Sequence, residues 1–173
     1  MQVLNAVCTN YLHLFVSNQA KSEANMNQTA LLAPDIDADY VLWLEHQITL
    51  IRERQFAQLD LDNLLDELES LVKTRKTELR SRLRVLIMHL LKWEYQPWLR
   101  STSWVSTIIT QRRDIESLLE ENPSFRRLIG EYSHKEHRRA ARDAVKETGL
   151  APATFPAALP YSEEQLLDHD FFP

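Results

Sequence analysis

The chain has 173 residues, a formal net charge of −5, 44% apolar and 26% charged residues, which excludes wholesale disorder and suits one globular domain. Its two glycines, Gly130 and Gly149, are too few for the tight turns of a β-sandwich or barrel, and they exclude a Gly-rich phosphate loop or dinucleotide fingerprint. Cys8 is the single cysteine, so no internal disulfide forms and a reducing, cytoplasmic setting is expected.

Residues 1–30 are rich in Asn, Gln, Ser and Ala. They read as a poorly ordered extension with one short element near Val7–Phe15, and Met26 is an alternative start. The apolar run Tyr11–Val16 lacks the flanks of a secretory signal. No run reaches the roughly 18–20 apolar residues that span a bilayer, so no membrane is expected. Residues 31–173 read as a single helical domain.

The first helix is predicted over Asp39–Arg54. Tyr40, Trp43, Leu44, Gln47, Ile48 and Ile51 share one face at helical spacing, and Asp37 or Asp39 can cap the first amides. Asp60 suits the N-cap of the next helix, with Leu59 and Leu64 as a hydrophobic staple. That helix carries Leu61, Leu64, Leu65, Leu68 and Leu71. Asp62, Asp66, Glu67 and Glu69 crowd its first turns, where the helix dipole favours acids. A kink near Val72–Thr74 or a straight continuation are both open.

The central helix, near 75–97, carries Leu79, Leu83, Leu86, Leu90 and Trp93 at spacings of 4, 3, 4 and 3. A second stripe adds Ile87, Leu91, Tyr95 and Trp98. So wide an apolar arc must be covered on several sides. Pro97 ends it, because its ring disfavours helix at Gln96. Ser101–Ser103 cap a helix over Trp104–Glu121 whose inner face is Trp104, Ile108, Ile115 and Leu119. Asn122-Pro123 reads as an N-cap followed by proline at the first helical position. The next helix carries Phe125, Leu128, Ile129, Tyr132, Ala140, Ala144 and Val145; Gly130 weakens it, so a break near 130–133 and an unbroken helix are both open. Gly149 fits a left-handed C-terminal cap. Ser162–Gln165 form a capping box. Phe155, Leu159, Phe171 and Phe172 imply that the tail packs back on the body. The expected fold class is all-α: a compact single-domain helical bundle of about five main helices with a wrapped C-terminal tail.

Charge is distributed unevenly. Residues 31–72 hold ten acids and two bases, 73–146 nine acids and seventeen bases, and 147–173 five acids and no base. The basic middle is either a surface for an anionic partner or is neutralised internally by the acidic flanks.

Several strings resemble one family: Asp39–Trp43 (DYVLW), Leu59–Leu71 (LDLDNLLDELESL), His89–Pro97 (HLLKWEYQP), Ser101–Ile108 (STSWVSTI), Asn122–Phe125 (NPSF), Glu147–Leu150 (ETGL), Phe155-Pro156 and Leu159–Pro173. In this order they are similar to the bacterial domain of unknown function 29, from about residue 27 to the end. The resemblance implies an all-helical, bacterial, often cyanobacterial, cytoplasmic protein, and it brings no activity or catalytic residue. The family pattern has glycine where this chain has Val72.

One polar constellation interrupts the apolar central helix. His89, Lys92 and Gln96 lie at i, i+3 and i+7 on one face, and Arg100, Ser103, Trp104 and Thr107 follow. Glu67 and Glu69 would join them if the preceding helix packed antiparallel. This group reads either as an acid/base or small-anion pocket or as a polar network that fixes helix register. Glu131 and His134 make one Glu-x-x-His pair, where a di-metal bundle needs two, so no metal or other cofactor is expected. Arg75-Lys76, Arg80, Arg84, Arg112-Arg113, Arg126-Arg127 and Arg138-Arg139 would bind nucleic acid only if they shared a face. Glu78 with Arg82 and Arg112 with Glu116 read as i, i+4 surface pairs. Trp98, beyond the helix-ending proline, is the first candidate for an exposed contact residue. Without catalytic motifs, the leading expectation is a non-enzymatic helical interaction or regulatory module. Its partner would be an unknown protein or a second copy. A small-anion binder or enzyme at the polar stripe and a nucleic-acid-binding protein are the alternatives.

Overall fold

The computed structural model describes residues 34–173; the expected extension over 1–30, with its short element and Cys8, lies outside them. Among the described residues the fold is all-α, with five α-helices joined by short 3₁₀ turns and no strand. Contacts group the described residues into two compact units, a first that ends at Leu64 and a second, Leu65–Pro173.

In the first unit, helix α1 spans Tyr40–Arg52, and the Asp39 carboxylate accepts the Leu42 amide at 3.0 Å as its N-cap. The covered face differs from the predicted one. Trp43, Gln47 and Leu50 are buried, whereas Tyr40, Ile48 and Ile51 are exposed. Polar bonds select that face. The Trp43 indole donates to Asp60 Oδ2 at 3.2 Å, and Gln47 Oε1 accepts the Asp60 amide at 3.0 Å. Asp60 also accepts from the Asn63 amide at 3.3 Å, which makes it the predicted cap of the next helix.

Helix α2 runs unbroken over Leu61–Tyr95, 35 residues, or roughly 52 Å at 1.5 Å per residue. Val72–Thr74 neither break nor end it, because no residue there lacks an amide or requires a positive φ. From Leu79 to Lys92 its apolar residues form the core of the second unit: Leu79, Leu83, Leu86, Ile87, Leu90 and Leu91 are fully buried. It stops before Pro97, which opens a 3₁₀ turn over Pro97–Leu99.

Helix α3, Thr102–Glu121, is capped by the Ser101 hydroxyl and buries Ile108, Ile115, Leu118 and Leu119. Asn122 makes no side-chain N-cap bond. Its Nδ2 instead donates back to the Leu118 carbonyl at 3.1 Å and closes α3. Pro123–Leu128 form a 3₁₀ turn, and helix α4 then runs over Ile129–Thr148. Of the two courses open at 130–133 the chain takes the unbroken one, and the change from 3₁₀ to α-helix falls before Ile129. Gly130 sits in the first turn of α4, and a Cβ there would meet the Glu163 carboxylate. Gly149, at φ 70°, is the predicted left-handed cap, its amide bonded to the Val145 carbonyl at 2.9 Å.

The tail packs back as expected. Phe155, Tyr161 and Leu166 are buried in the core, and Leu159, Phe171 and Phe172 lie against it. Helix α5, Glu163–Leu167, carries the full Ser162–Gln165 capping box. Its C-terminal carbonyls, which a five-residue helix cannot satisfy itself, are bound by a buried side chain. Arg112, 1% exposed, donates from Nε to the Leu166 carbonyl at 3.0 Å, from Nη2 to Gln165 at 3.1 Å and from Nη1 to His169 at 3.4 Å. The expected Arg112–Glu116 surface pair is thus replaced by an interior clamp, and Glu116 faces His169 at 3.4 Å.

Replacing Arg112 by Ala removes three charge-assisted hydrogen bonds and strands three carbonyls. The expected loss is about 3–5 kcal/mol, read as a lower denaturant midpoint together with early proteolysis within residues 150–173. Gly149→Ala forces a Cβ into the left-handed region and costs about 1 kcal/mol in the same unfolding measurement.

Candidate functional site

Of the polar residues singled out in the sequence, Lys92 and Gln96 are buried, His89 is half-buried and Arg100 is exposed. Lys92 is buried, with its ammonium 2.5 Å from Glu147 Oε2 and 4.5 Å above the Trp104 ring centroid. Gln96, also buried, donates from Nε2 to the Thr148 carbonyl at 3.5 Å. The His89 ring lies 2.9 Å from the Val85 carbonyl through Nδ1. Arg100 donates to the Trp93 carbonyl at 2.9 Å and to the Pro173 carbonyl at 3.2 Å, with its guanidinium 4.6 Å over the Trp93 ring. Ser103 offers its backbone carbonyl to the Thr107 hydroxyl at 3.0 Å. The stripe ties α2 to the C-terminal end of α4 and to the chain end.

Glu67 and Glu69 do not reach it. They stand on the same unbroken helix as His89, and the helical rise puts Glu69 roughly 30 Å away along the axis. An antiparallel approach would require the turn that α2 does not make.

The basic pairs are largely neutralised within their own segment. Arg80 meets Glu136, Arg82 meets Asp114 and Glu78, Arg84 meets Asp143, and Arg139 meets Glu136. Apart from Lys92 with Glu147, the acidic flanks contribute little to these pairs. Glu131 of the Glu-x-x-His pair is held by Lys135, and no group of three or more His, Cys, Asp or Glu able to hold a metal occurs among the described residues.

Among the described residues, two further surfaces that the sequence pattern does not single out are without cover. The first is the front half of α2 within the second unit. Leu65, Leu68, Leu71 and Val72 are all more than half exposed, Leu71 at 63%. At 100° per residue they form one arc, bordered on one side by Asp66 and Glu69. The arc leads into a concavity of about 520 Å³ bounded by Val72, Lys76, Arg80 and Tyr132. The second is a groove of about 890 Å³ between α4 and the 152–157 segment. Its floor is Ala141, Val145, Phe155 and Pro156, and Arg138, Arg142 and Lys146 stand along one edge. Trp98, 70% exposed, is an exposed aromatic as expected.

A family model for a domain of unknown function, DUF29, matches residues 36–172. The chain belongs to the DUF29 family. No curated protein and no solved structure matches it. In this DUF29 chain no helix among the described residues is long and apolar enough to cross a membrane. The match covers both uncovered surfaces.

Two histidines give this DUF29 chain a pH signature. Burial pushes the His89 imidazole below the ordinary value, and Lys92 adds to the effect against the Val85 carbonyl and Glu147. His137, 4% exposed with Nε2 unpaired, is likewise lowered by burial and then by His134. Both favour the neutral ring in the folded state, so the unfolded chain binds protons more readily. Their contribution to stability is complete above about pH 6.5 and is lost as pH falls from there through the depressed folded values. The urea midpoint is expected to drop between pH 7 and pH 5.5, and a His89→Gln/His137→Gln variant to show a flatter profile over that window. An unchanged slope in the double variant would contradict the assignment.

Proposed function

We propose that the protein is a non-enzymatic helical interaction module that self-associates through the exposed apolar arc of α2. The carrying observation is the exposure of Leu65, Leu68, Leu71 and Val72 on one face of a helix whose later leucines are fully buried. Apolar residues in a continuous helical row are the usual docking face of a helix-on-helix contact, and a contiguous apolar patch of this kind marks an interaction site. The protein partners of Lys92, Gln96 and Arg100, namely Glu147, the Thr148 carbonyl and the Trp93 and Pro173 carbonyls, support a register-fixing role for the polar stripe over catalysis. A cytoplasmic setting accords with one cysteine in 173 residues.

The test is sedimentation of the purified chain over a concentration series. The wild type is expected to gain mass with concentration, and a Leu65→Lys/Leu68→Lys variant to stay monomeric with unchanged helicity. A wild-type chain that stays monomeric at every concentration would remove the basis of the proposal.

A further inference from the structure

Self-association requires a receiving surface. An isologous contact would pair one α2 arc with the same arc on a second copy, and a heterologous one would seat it elsewhere. The groove between α4 and the 152–157 segment has the features of a receptor for it. Arg138, Arg142 and Lys146 are spaced i, i+4 and i+8, so they form a single row about 12 Å long. None of the three has a carboxylate partner among the described residues, in a second unit where most other arginines of α2 and α4 are paired. Beside the row lies an apolar floor, and His137, nine-tenths or more buried and unpaired at Nε2, lines the same groove. The groove therefore selects an elongated partner with an apolar face and acids along one border.

The α2 arc has that character. Leu65, Leu68 and Val72 supply the apolar row, and Asp66 and Glu69 stand along its edge, roughly one helical turn apart. Cations spaced by a helical turn meet acids spaced by a helical turn when two helices lie side by side. Within one copy the arc cannot enter this groove. The arc leads instead into the separate concavity at Arg80 and Tyr132, on the same compact unit.

Resting on the self-association reading above, we propose that the α4 groove receives the acid-bordered α2 arc of a second copy of this chain, in a head-to-tail contact. Such a contact leaves an unused arc on one copy and an unused groove on the other, so assembly continues into longer oligomers or closes as a ring.

The experiment uses the full chain and two surface variants, a groove variant Arg138→Glu/Arg142→Glu and an arc variant Leu65→Lys/Leu68→Lys, each checked for unchanged helicity. In sedimentation, each variant alone is expected to associate about 100-fold or more weakly than the wild type. Mixed, they are expected to form a 1:1 heterodimer and nothing larger, since one retains an arc and the other a groove. Wild-type association is also expected to weaken steeply from low to high salt, because the groove's row is cationic. A groove variant that associates like the wild type, while the arc variant does not, would overturn the groove assignment and leave self-association through α2 standing. Failure of the mixture to form a heterodimer would overturn it as well. A wild-type chain that is monomeric throughout would overturn both readings. Should the charge reversals unfold the chain, Arg142→Ala/Lys146→Ala with the salt series gives the same decision.

Discussion

A guanidinium buried to 1% exposure, Arg112 on α3, holds the C-terminal segment in place through three backbone carbonyls. Burying a charge is costly unless its donors are satisfied. Here they are satisfied by carbonyls that a five-residue helix would otherwise leave bare. Burial lowers the Arg112 pKa while Asp168 opposes that shift, and the Phe172 ring lies 5.6 Å from the guanidinium carbon. The clamp and the tail therefore depend on one another. The tail supplies all three acceptors of Arg112, and Arg112 supplies the donors for the end of α5. The rest of the tail follows from this seat: the Tyr161 hydroxyl reaches Glu94 at 2.7 Å, and Phe155 packs edge-on against Tyr95 at 5.6 Å. Burial and the Glu94 carboxylate push the Tyr161 phenol far above its ordinary value, so it stays a neutral donor.

The polar stripe of α2 acts in the same way at the other end of α4. Lys92, Gln96 and Arg100 bind Glu147, the Thr148 carbonyl and the Pro173 carbonyl in turn. Each bond joins residues far apart in sequence and fixes how α2 slides against its neighbours. An apolar seam of leucines alone permits slips by a turn, whereas a buried ammonium that must meet one carboxylate does not. The Trp104 ring over the Lys92 ammonium adds a favourable face to a charge with little access to water.

Helix ends were the most legible part of the fold, because their signals are local. Asp39, Asp60, Ser101, Gly149 and the Ser162–Gln165 box all stand where their chemistry puts them. Pro97 ended α2 for a purely steric reason. Burial was legible over Leu79–Leu91, where the apolar arc is wide, and at Ile108, Ile115 and Leu119 of α3. On α1 the periodicity could not rank Ile48 and Ile51 against Leu50, since Gln47 and Asp60 decided the face through a bond 13 positions apart. For the candidate site, His89 and Lys92 stand on α2 while Gln96 and Arg100 flank the 3₁₀ turn that follows it, and distance in sequence hid their partners. Glu67 and Glu69 were misplaced because no local signal at 72–74 distinguishes a turn from a straight helix. The α4 groove left no trace in the pattern, because its floor joins Ala141 and Val145 to Phe155 and Pro156 across the Gly149 cap.

Helix α2 thus carries two halves under different constraints. The later half, Leu79–Lys92, is enclosed, and its leucines are accounted for by the core. The earlier half holds leucines of the same kind in water, where each forgoes about 1.5–3 kcal/mol of burial. Isolated exposed leucines need no explanation, but a contiguous row of them on a helix bordered by acids is a different case. The acids keep that row soluble while it is uncovered, and they restrict what can cover it to a surface with cations in the matching place. Of the surfaces described, the edge of the α4 groove has such cations, set at helical spacing and left without carboxylates of their own. In the proposed head-to-tail contact, the same charges that guard the arc against indiscriminate association would select its partner.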